Sequence, residues 1–201
     1  MLEHYPGSAR HLEIALDDGS PICLRPMTRS DRDRVRQGIG QLSSRSRYFR
    51  FFSGFAEPPT SILDLLLDID GQRHIAWCAL DLASPNHPAI AAAHVVSDQA
   101  TPSQQAELAF AVVDSFHHKG LARLLLAAVL NDALQLGVLN LRAEVLSENR
   151  ASARLLRTLG AHAHGPASET IWFGLQTSTA LAALKDMKSP RALRQILDTF
   201  D

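Results

Sequence analysis

The segment from Glu107 to Ala161 constrains the fold more than any other part of the chain. An apolar, β-rich run from Leu108 to Val113 leads through a glycine-containing turn into a long helix that begins near Leu121. A second strand, from Leu141 to Leu146, and a second helix follow. The polar residues of the long helix form almost a single stripe, which predicts that this helix is mostly buried against a sheet.

The turn from His117 to Arg123, between the first strand and the long helix, has the composition of an anion site. The first amides of a helix lack intrahelical partners, and the helix dipole is positive at that end. Small residues at Gly120 and Ala122 would let a phosphate approach the backbone, and Lys119 and Arg123 would add charge. Glycine before a helix is also ordinary turn chemistry, so the residues alone leave both interpretations open.

This turn resembles the pyrophosphate loop of the GNAT superfamily of acyl-CoA-dependent N-acyltransferases. The loop reads Gln/Arg-x-x-Gly-x-Gly/Ala, and His117, Gly120 and Ala122 occupy its defined places, with a histidine in the first. The resemblance extends over roughly residues 24–175. It implies the GNAT fold, a mixed α/β (α+β) domain whose central, mostly antiparallel sheet is flanked by helices and splayed between its two central strands.

Two further segments resemble the family's second cofactor-contacting region. They are Glu148-Asn149 after the second strand, and Leu159-Gly160-Ala161 at the end of the next helix. Asn149 has the residue type of a helix cap, and the resemblance adds a hydrogen bond to the pantetheine arm. Acetyl-CoA is the implied cosubstrate, and no metal is expected. The implied cofactor-binding residues are Phe110, Ala111, Val112, His117, His118, Lys119, Gly120, Leu121, Ala122, Arg123 and Asn149.

Glu107, at the start of the apolar strand, is the candidate catalytic residue. From the residues alone, a carboxylate at the edge of a strand is usually a solvent contact. The run Ala106-Glu107-x-Ala109-x-x-Val112, however, resembles the subgroup of bacterial protein lysine acetyltransferase domains, in which this glutamate is the general base. The resemblance also assigns the oxyanion to the backbone N–H of Val112.

The chemistry of amine acetylation requires such a base. A lysine amine has an unperturbed pKa of about 10.4, so a proton must be removed before it attacks a thioester. Because a carboxylate with a pKa of about 4.3 is a weak direct acceptor, we expect Glu107 to act through a water or with a pKa raised by apolar neighbours. The family's frequent acid tyrosine is replaced by Leu156. A thiol of pKa about 8.5 leaves readily, so we still expect activity.

The run from Ser46 to Phe52 also resembles the protein-acetylating domains, where this region borders the acceptor site. From residue types alone, its aromatic side chains would simply pack on the sheet. We therefore expect acetyl transfer from acetyl-CoA to a primary amine, in particular a protein lysine, by direct attack in a ternary complex. The alternatives are a small-molecule amine as acceptor, or a non-catalytic module that binds acyl-CoA.

The rest of the chain gives further expectations about organisation. Residues 1–10 are predicted to form a loose arm, residues 11–177 the GNAT domain and residues 178–201 a C-terminal helical extension. A hairpin is predicted around the turn at Asp17-Asp18-Gly19-Ser20, with strands at His11 to Leu16 and Ile22 to Arg25. Thr28 and Asp31 form a predicted capping box.

Two further caps, another strand pair and a terminal helix are also expected. Ser43 is predicted to cap an aromatic-rich helix, and Thr60 to cap a leucine-rich one. Two apolar segments, His74 to Leu80 and Ile90 to Val96, are predicted to form an antiparallel pair of strands. Ser189-Pro190 is predicted to begin a terminal amphipathic helix.

Composition excludes several partners. The net charge of −1 gives no indication of nucleic-acid binding. Cys23 and Cys78 are far apart in sequence and are predicted to be buried, reduced thiols. His162 and His164 have no partners at metal-ligand spacing. Without an apolar run of membrane-spanning length or a signal-peptide pattern, we expect no membrane association and a cytoplasmic enzyme, either monomeric or homodimeric.

Overall fold

The computed structural model describes residues 10–97, 105–165 and 168–200 of the chain. Eight strands form one sheet: β1 (Leu12–Ala15), β2 (Pro21–Pro26), β3 (His74–Asp81), β4 (Ala89–Val96), β5 (Gln105–Val112), β6 (Asn140–Leu146), β7 (His162–His164) and β8 (Thr170–Gln176). The α-helices of these residues are α1 (Arg32–Gln41), α2 (Ser44–Phe51), α3 (Thr60–Leu66), α4 (Leu121–Gln135), α5 (Arg150–Thr158), α6 (Thr177–Lys185) and α7 (Ala192–Asp198).

The sheet is open and mostly antiparallel, with the spatial order β1-β2-β3-β4-β5-β6-β8-β7. The predicted hairpin is present as β1 and β2, and the predicted antiparallel pair as β3 and β4. Within the part of the chain that is described, β5 and β6 form the one parallel pair. This mixed architecture confirms the fold class that the sequence predicts.

The sheet splits between β5 and β6. These strands are in register only where Gln105–Glu107 meets Asn140–Arg142. On its other side β5 stays paired with β4 as far as Val112. The second half of β5 therefore has a free edge inside the sheet, which is the splay that the resemblance implied.

Two hydrophobic layers enclose the sheet. On one side α4 packs against β3 and β4. Its residues 124–130, about two helical turns, are fully buried, and every side chain there is Leu, Ala or Val. Helices α6 and α7 then pack on α4 and belong to the same core cluster. The other layer, under α1 and α3, includes Met27, Ile39 and Leu63. The burial predicted for the long helix is confirmed.

Several details differ from the sequence predictions. Thr60 was predicted to cap α3, but it is the first residue of the helix and Pro59 holds the cap position. The terminal helix, predicted to start at Ser189-Pro190, begins at Ala192. Strand β7 was not predicted, because three residues are too few for a periodic pattern. The predicted N-terminal arm lies outside the described residues, except for residue 10, and the division into a domain and an extension stays a prediction.

Other expectations concern single residues and membrane spans. Cys23 and Cys78 are free and buried, as predicted, and burial raises the pKa of the Cys78 thiol to about 12. No helix within the described ranges is long and apolar enough to cross a membrane.

A buried ion pair fixes the start of α1 to the sheet. Arg25 of β2 donates from both terminal nitrogens to the carboxylate of Asp31, one contact measuring 2.8 Å. The backbone N–H of Thr28 donates to the same carboxylate at 2.9 Å, which matches the predicted capping box. Burial opposes ionisation of Asp31, but the hydrogen bonds from Arg25 and Thr28 outweigh it and lower its pKa.

We predict that Asp31→Ala lowers the free energy of unfolding by about 3–5 kcal/mol, because it leaves the buried Arg25 guanidinium without its carboxylate. Urea unfolding measures this loss. Since the folded-state pKa lies below the ordinary 3.8, the stabilisation is present above pH 3.8 and disappears as the pH falls through the folded-state value.

Asp33→Ala is the matched control. Asp33 lies on the same helix, its side chain is 86% exposed, and its carboxylate is 3.5 Å from Arg36. Removing such a surface pair should change stability by less than about 0.5 kcal/mol. Equal losses from the two variants would contradict the role assigned to the buried pair.

Candidate active site

A cleft of about 620 Å³ opens where β5 separates from β6. All of the predicted cofactor-binding residues line it except Lys119: they are Phe110, Ala111, Val112, His117, His118, Gly120, Leu121, Ala122, Arg123 and Asn149. The structure therefore brings together one strand edge, one turn and two helix N-termini. The sequence separates these parts by up to about forty residues.

The turn before α4 is a concave array of backbone donors. In the described part of the chain, none of the amides of residues 118–122 donates to another backbone group. His118 and Gly120 have positive φ angles of 63° and 80° and alternate with ordinary residues. Such alternation points successive N–H groups to one side and forms an anion-binding nest. Left-handed backbone at His118 is uncommon for a residue with a side chain, and the sequence did not indicate it.

The two basic side chains of the turn do not both face the cleft. Lys119 turns away to the β1–β2 hairpin, where its Nζ lies 2.7 Å from a carboxylate oxygen of Asp18. That hydrogen bond is the main reason that the pKa of Asp18 is lowered. Arg123 lines the cleft, and one of its terminal nitrogens donates to the Ser189 carbonyl at 3.2 Å. The charge expected from Lys119 therefore acts on the hairpin.

Gly120 is required for a reason that the sequence did not show. A Cβ atom at this position would lie 2.7–2.9 Å from ring carbons of Pro190, and the backbone there has positive φ. The segment before α7 thus packs directly against the back of the turn. A phosphate was predicted to approach the bare Cα of Gly120, but the absent Cβ would point towards Pro190.

The free edge of β5 presents backbone groups to the cleft. The N–H of Val113 donates to the Ile90 carbonyl of β4 at 2.8 Å. Successive N–H groups of a strand point to opposite edges, so those of Val112 and Phe110 point away from β4, towards the gap. The Val112 carbonyl accepts a hydrogen bond from Nε2 of His117 at 2.9 Å. His117, predicted to contact the cofactor, therefore also fixes the end of the strand.

Helix α5 forms a wall of the cleft that the sequence analysis largely missed. Arg150, Arg154 and Thr158 recur at four-residue steps and all line the cleft. This spacing was the available signal. Asn149 caps the helix by accepting from the Ser152 N–H at 3.1 Å, as its residue type predicts.

The position noted for the missing acid tyrosine does not face the cofactor. Leu156 is fully buried in the core, whereas its neighbour Leu155 lines the cleft. Neither side chain can donate a proton.

Helix α2 is fixed to the turn by Asp114. The carboxylate accepts from the Ser43 N–H at 2.9 Å, from Ser43 Oγ at 2.7 Å and from Ser46 Oγ at 2.8 Å. Burial opposes ionisation of Asp114, but these hydrogen bonds lower its pKa on balance. Ser43 also caps α2, as predicted, through the Ser46 N–H. Asp114 was missed because its partners are about seventy residues away in sequence.

The aromatic side chains of α2 divide between packing and the cleft. Phe49 lines the cleft, while Phe51 packs against Phe55 with ring centroids 5.1 Å apart. Tyr48 and Phe52 are more than 40% exposed. Part of the helix thus borders the site, and part packs as residue types alone suggested.

Glu107 lies near the start of β5, at the other end of the strand from the turn before α4. Its side chain is 45% exposed, and its carboxylate is 3.7 Å from a guanidinium nitrogen of Arg142. Of the two ways in which the base was expected to act, transfer through a water is the one that this exposure favours. Glu107 does not line the cofactor cleft itself, but it is on the same face of β5 as Ala111, which does.

A second cleft, of about 640 Å³, begins beside this pair. Arg142, Gln105 and Trp172 line it together with His162 and His164. The guanidinium of Arg142 lies 5.4 Å from the centre of the Trp172 ring. Among the residues that the structure describes, no group of three or more His, Cys, Asp or Glu side chains could hold a metal ion.

Comparisons with known proteins agree with this geometry. The family model described as acetyltransferase (GNAT) domain matches residues 22–162. Acetyltransferase PA5475 of Pseudomonas aeruginosa is 30% identical over 150 residues, which cover 75% of this chain and 80% of the relative. Acetyltransferase Pat of Mycolicibacterium smegmatis is also 30% identical over 150 residues, but the match covers only 44% of its length.

A solved structure shares the fold. The GNAT domain of S. lividans PAT superposes with a TM-score of 0.73 at 22% identity, covering 83% of this chain and 96% of that one. A splayed mixed sheet with a donor-lined cleft at the split defines the class of acyl-CoA-dependent N-acyltransferases. The chain belongs to the GNAT family, as the sequence motifs predicted, and is an acetyl-CoA-dependent N-acetyltransferase.

We predict that Gly120→Ala destabilises the protein and that Pro190→Gly in the same chain recovers part of the loss. The alanine has two costs. It must adopt a left-handed backbone conformation, which costs about 1 kcal/mol, and its Cβ collides with the Pro190 ring. Removing the ring relieves only the collision. Thermal unfolding of the single and double variants, with acetyl-CoA affinity measured alongside, separates the two terms.

Gly19→Ala provides the control, because Gly19 has φ of +86° with nothing within 4 Å of an added Cβ. It should show the strain alone. If Pro190→Gly leaves the effect of Gly120→Ala unchanged, the contact with Pro190 is not the reason for the glycine.

Proposed function

We propose that this enzyme transfers the acetyl group of acetyl-CoA to the side-chain amine of a protein lysine, with Glu107 as general base. The observation that carries the proposal is the arrangement along β5. An anion nest follows one end of the strand, a free edge runs along its second half, and a partly exposed carboxylate stands near its other end. Acetyl-CoA, a long molecule with a pyrophosphate towards one end and a thioester at the other, fits this order of groups.

The donor is held at three places in this proposal. Its pyrophosphate lies on the amides of residues 118–122, with Arg123, Arg150 and Arg154 supplying charge from the cleft walls. The pantetheine arm follows the free edge of β5 and bonds with exposed strand groups and with Asn149. The thioester then lies deeper in the gap, beside Phe110 and Ala111.

The chemical step needs a base and an oxyanion donor close to the same carbonyl carbon. Glu107 is three residues from Phe110, about 10 Å along an extended strand, and five from Val112, about 17 Å. The Phe110 N–H, which points into the gap like that of Val112, is therefore the better placed donor if Glu107 acts through one water. The exposure of Glu107 supplies that water.

Three observations favour a protein acceptor. The resemblance of Ser46 to Phe52 and of Ala106-Glu107 to protein-acetylating domains concerns two separated segments, and both lie on the acceptor side. The second cleft starts at Arg142, next to Glu107, and offers a path for an extended chain. Among the described residues, no residue of α7 lines either cleft, which favours clefts that the C-terminal helix leaves open. Most of the link from Ser97 to Gln105 lies outside the described residues.

The nest and the α5 wall predict a specific loss of cofactor affinity. Arg154→Gln should raise the Kd of acetyl-CoA about tenfold, since it removes one charge from the phosphate site. Arg157→Gln is the control: it lies on the same helix, stacks over Phe173 at 5.2 Å and does not line the cleft. Calorimetry measures both, and equal effects would contradict the assigned phosphate position.

Glu107→Gln should leave acetyl-CoA affinity nearly unchanged and lower kcat by about 10²- to 10⁴-fold, the usual share of a general base. The deficit should shrink as the pH approaches the amine pKa of about 10.4, where the acceptor is already neutral. Glu13→Gln, on the exposed edge strand β1, is the control. A deficit that stays constant up to alkaline pH would show that Glu107 only positions the substrate.

The acceptor class is tested by incubating a cell lysate with labelled acetyl-CoA and either the wild type or Glu107→Gln. Label on protein lysines that depends on Glu107 supports the proposal. Label confined to the small-molecule fraction would establish the alternative, a small amine as acceptor. An absence of thiol release with all amines would favour a non-catalytic acyl-CoA-binding module.

A further inference from the structure

Arg50 of α2 is a cation without a hydrogen-bond partner among the residues that the structure describes. Its side chain lies where the cofactor cleft meets a small cavity of about 50 Å³, and it lines both. It forms no hydrogen bond or ion pair with any residue of the described ranges, and its one aromatic contact is with the Phe51 ring at 5.2 Å. A partly buried guanidinium has five donors, so a site of this kind calls for an acceptor from a ligand.

The nearest acidic group does not neutralise it. Glu107 acts on Arg50 through its charge, but the two do not reach ion-pair distance, and the carboxylate instead lies beside Arg142. Burial lowers the pKa of Arg50 to about 10, and the charge of Glu107 opposes that shift. Arg50 thus remains a cation at neutral pH.

The groups behind Arg50 are two neutral histidines. His74 donates from Nδ1 to the Asp68 carbonyl at 3.2 Å, so its Nε2 accepts from Nδ1 of His94 at 2.9 Å. Burial, first of all, lowers the pKa of both imidazoles, and the charge of Arg50 lowers both further. Neither ring therefore compensates the positive charge, and neither bonds to Arg50.

The guanidinium is placed beside the reacting part of the donor. At the N-terminal end of α2, Ser46 is bonded to Asp114 beyond the end of β5. At the other end, Arg50 shares the cleft with Phe110 and Ala111 and is influenced by the charge of Glu107. Helix α2 therefore runs beside β5 in the opposite direction, and Arg50 shares the cleft with the proposed oxyanion donor while being influenced by the charge of the base.

We propose that Arg50 is a further catalytic residue, whose guanidinium donates to the acyl oxygen of the bound thioester and stabilises the oxyanion. The inference rests on the proposed function. The amine nitrogen forms a bond to the carbonyl carbon, and the electron pair of the C=O double bond moves to oxygen. Arg50 and the Phe110 N–H bond to that oxygen. The C–S bond then breaks as the C=O bond re-forms. The leaving thiolate takes up the second amine proton, because Glu107 has already received the first through water before the attack.

The direct test is a binding preference that does not depend on turnover. Two stable CoA thioethers are compared by calorimetry, one ending in a carboxylate and one in a methyl ketone of similar size. The carboxylate places a negative oxygen near the acyl position, so the wild type should bind it about ten- to a hundredfold more tightly than the ketone. Arg50→Met should lose the preference, and Arg50→Lys should keep most of it because the charge remains.

Arg45→Met is the matched control. Arg45 is on the same helix, lies over Phe49 at 5.1 Å and is exposed, so this variant removes the same charge from α2 without touching the cleft. It should retain the full preference. A preference that survives in Arg50→Met, or that is lost equally in Arg45→Met, would overturn the inference.

Turnover gives a second readout. If Arg50 stabilises the oxyanion, Arg50→Met lowers kcat by about 10²- to 10³-fold and leaves the affinity for the ketone analogue unchanged. A loss of ketone binding in Arg50→Met would instead show that the residue shapes the cleft. A wild type that binds neither CoA thioether would contradict the proposed function itself. Binding without discrimination overturns only the role of Arg50.

Discussion

The short pairing of β5 with β6 is the constraint on which the rest of the site depends. A strand in the middle of a sheet normally satisfies its N–H and C=O groups on both edges, and leaving them unpaired is costly where water is excluded. Here the pairing ends after Glu107 and Arg142, and the gap that follows stays open enough for solvent or a ligand. The cleft therefore forms where the second half of β5 has no neighbouring strand on one edge.

A strand edge without a neighbouring strand needs contacts with other segments to keep its conformation. Three contacts from distant parts of the chain meet at the turn before α4: Lys119 with Asp18 of the hairpin, Gly120 with Pro190, and Asp114 with the start of α2. Together they order the nest before any phosphate arrives, so binding need not provide the entropy of ordering that turn. They also link cofactor binding to both ends of the described chain.

The sequence was sufficient for the architecture and for most of the residues that line the cleft, because those rest on local patterns. Hydrophobic periodicity indicated α4 and the strands, and the spacing of His117, Gly120 and Ala122 indicated the turn. What it missed depends on long-range contacts. Nothing local shows that Lys119 faces the hairpin, that Pro190 lies behind Gly120, or that Arg142 is beside Glu107. The α5 wall is the exception, since the four-residue spacing of its arginines was visible.

The distribution of charge explains how a chain with net charge −1 can bind a polyanion. Arg123, Arg150 and Arg154 line the phosphate end of the cleft, while Lys119 is neutralised on the hairpin. At the proposed acyl end, Arg50 has no hydrogen-bond or ion-pair partner among the described residues, the Glu107 carboxylate lies beside Arg142, and the buried histidines are neutral. In our proposal, the hydrogen bond from this cation to the acyl oxygen strengthens as that oxygen becomes negative. That is the condition under which a charge favours the transition state over the bound substrate. At this end of the cleft we therefore assign oxyanion stabilisation to Arg50, beside the role of Glu107 as base.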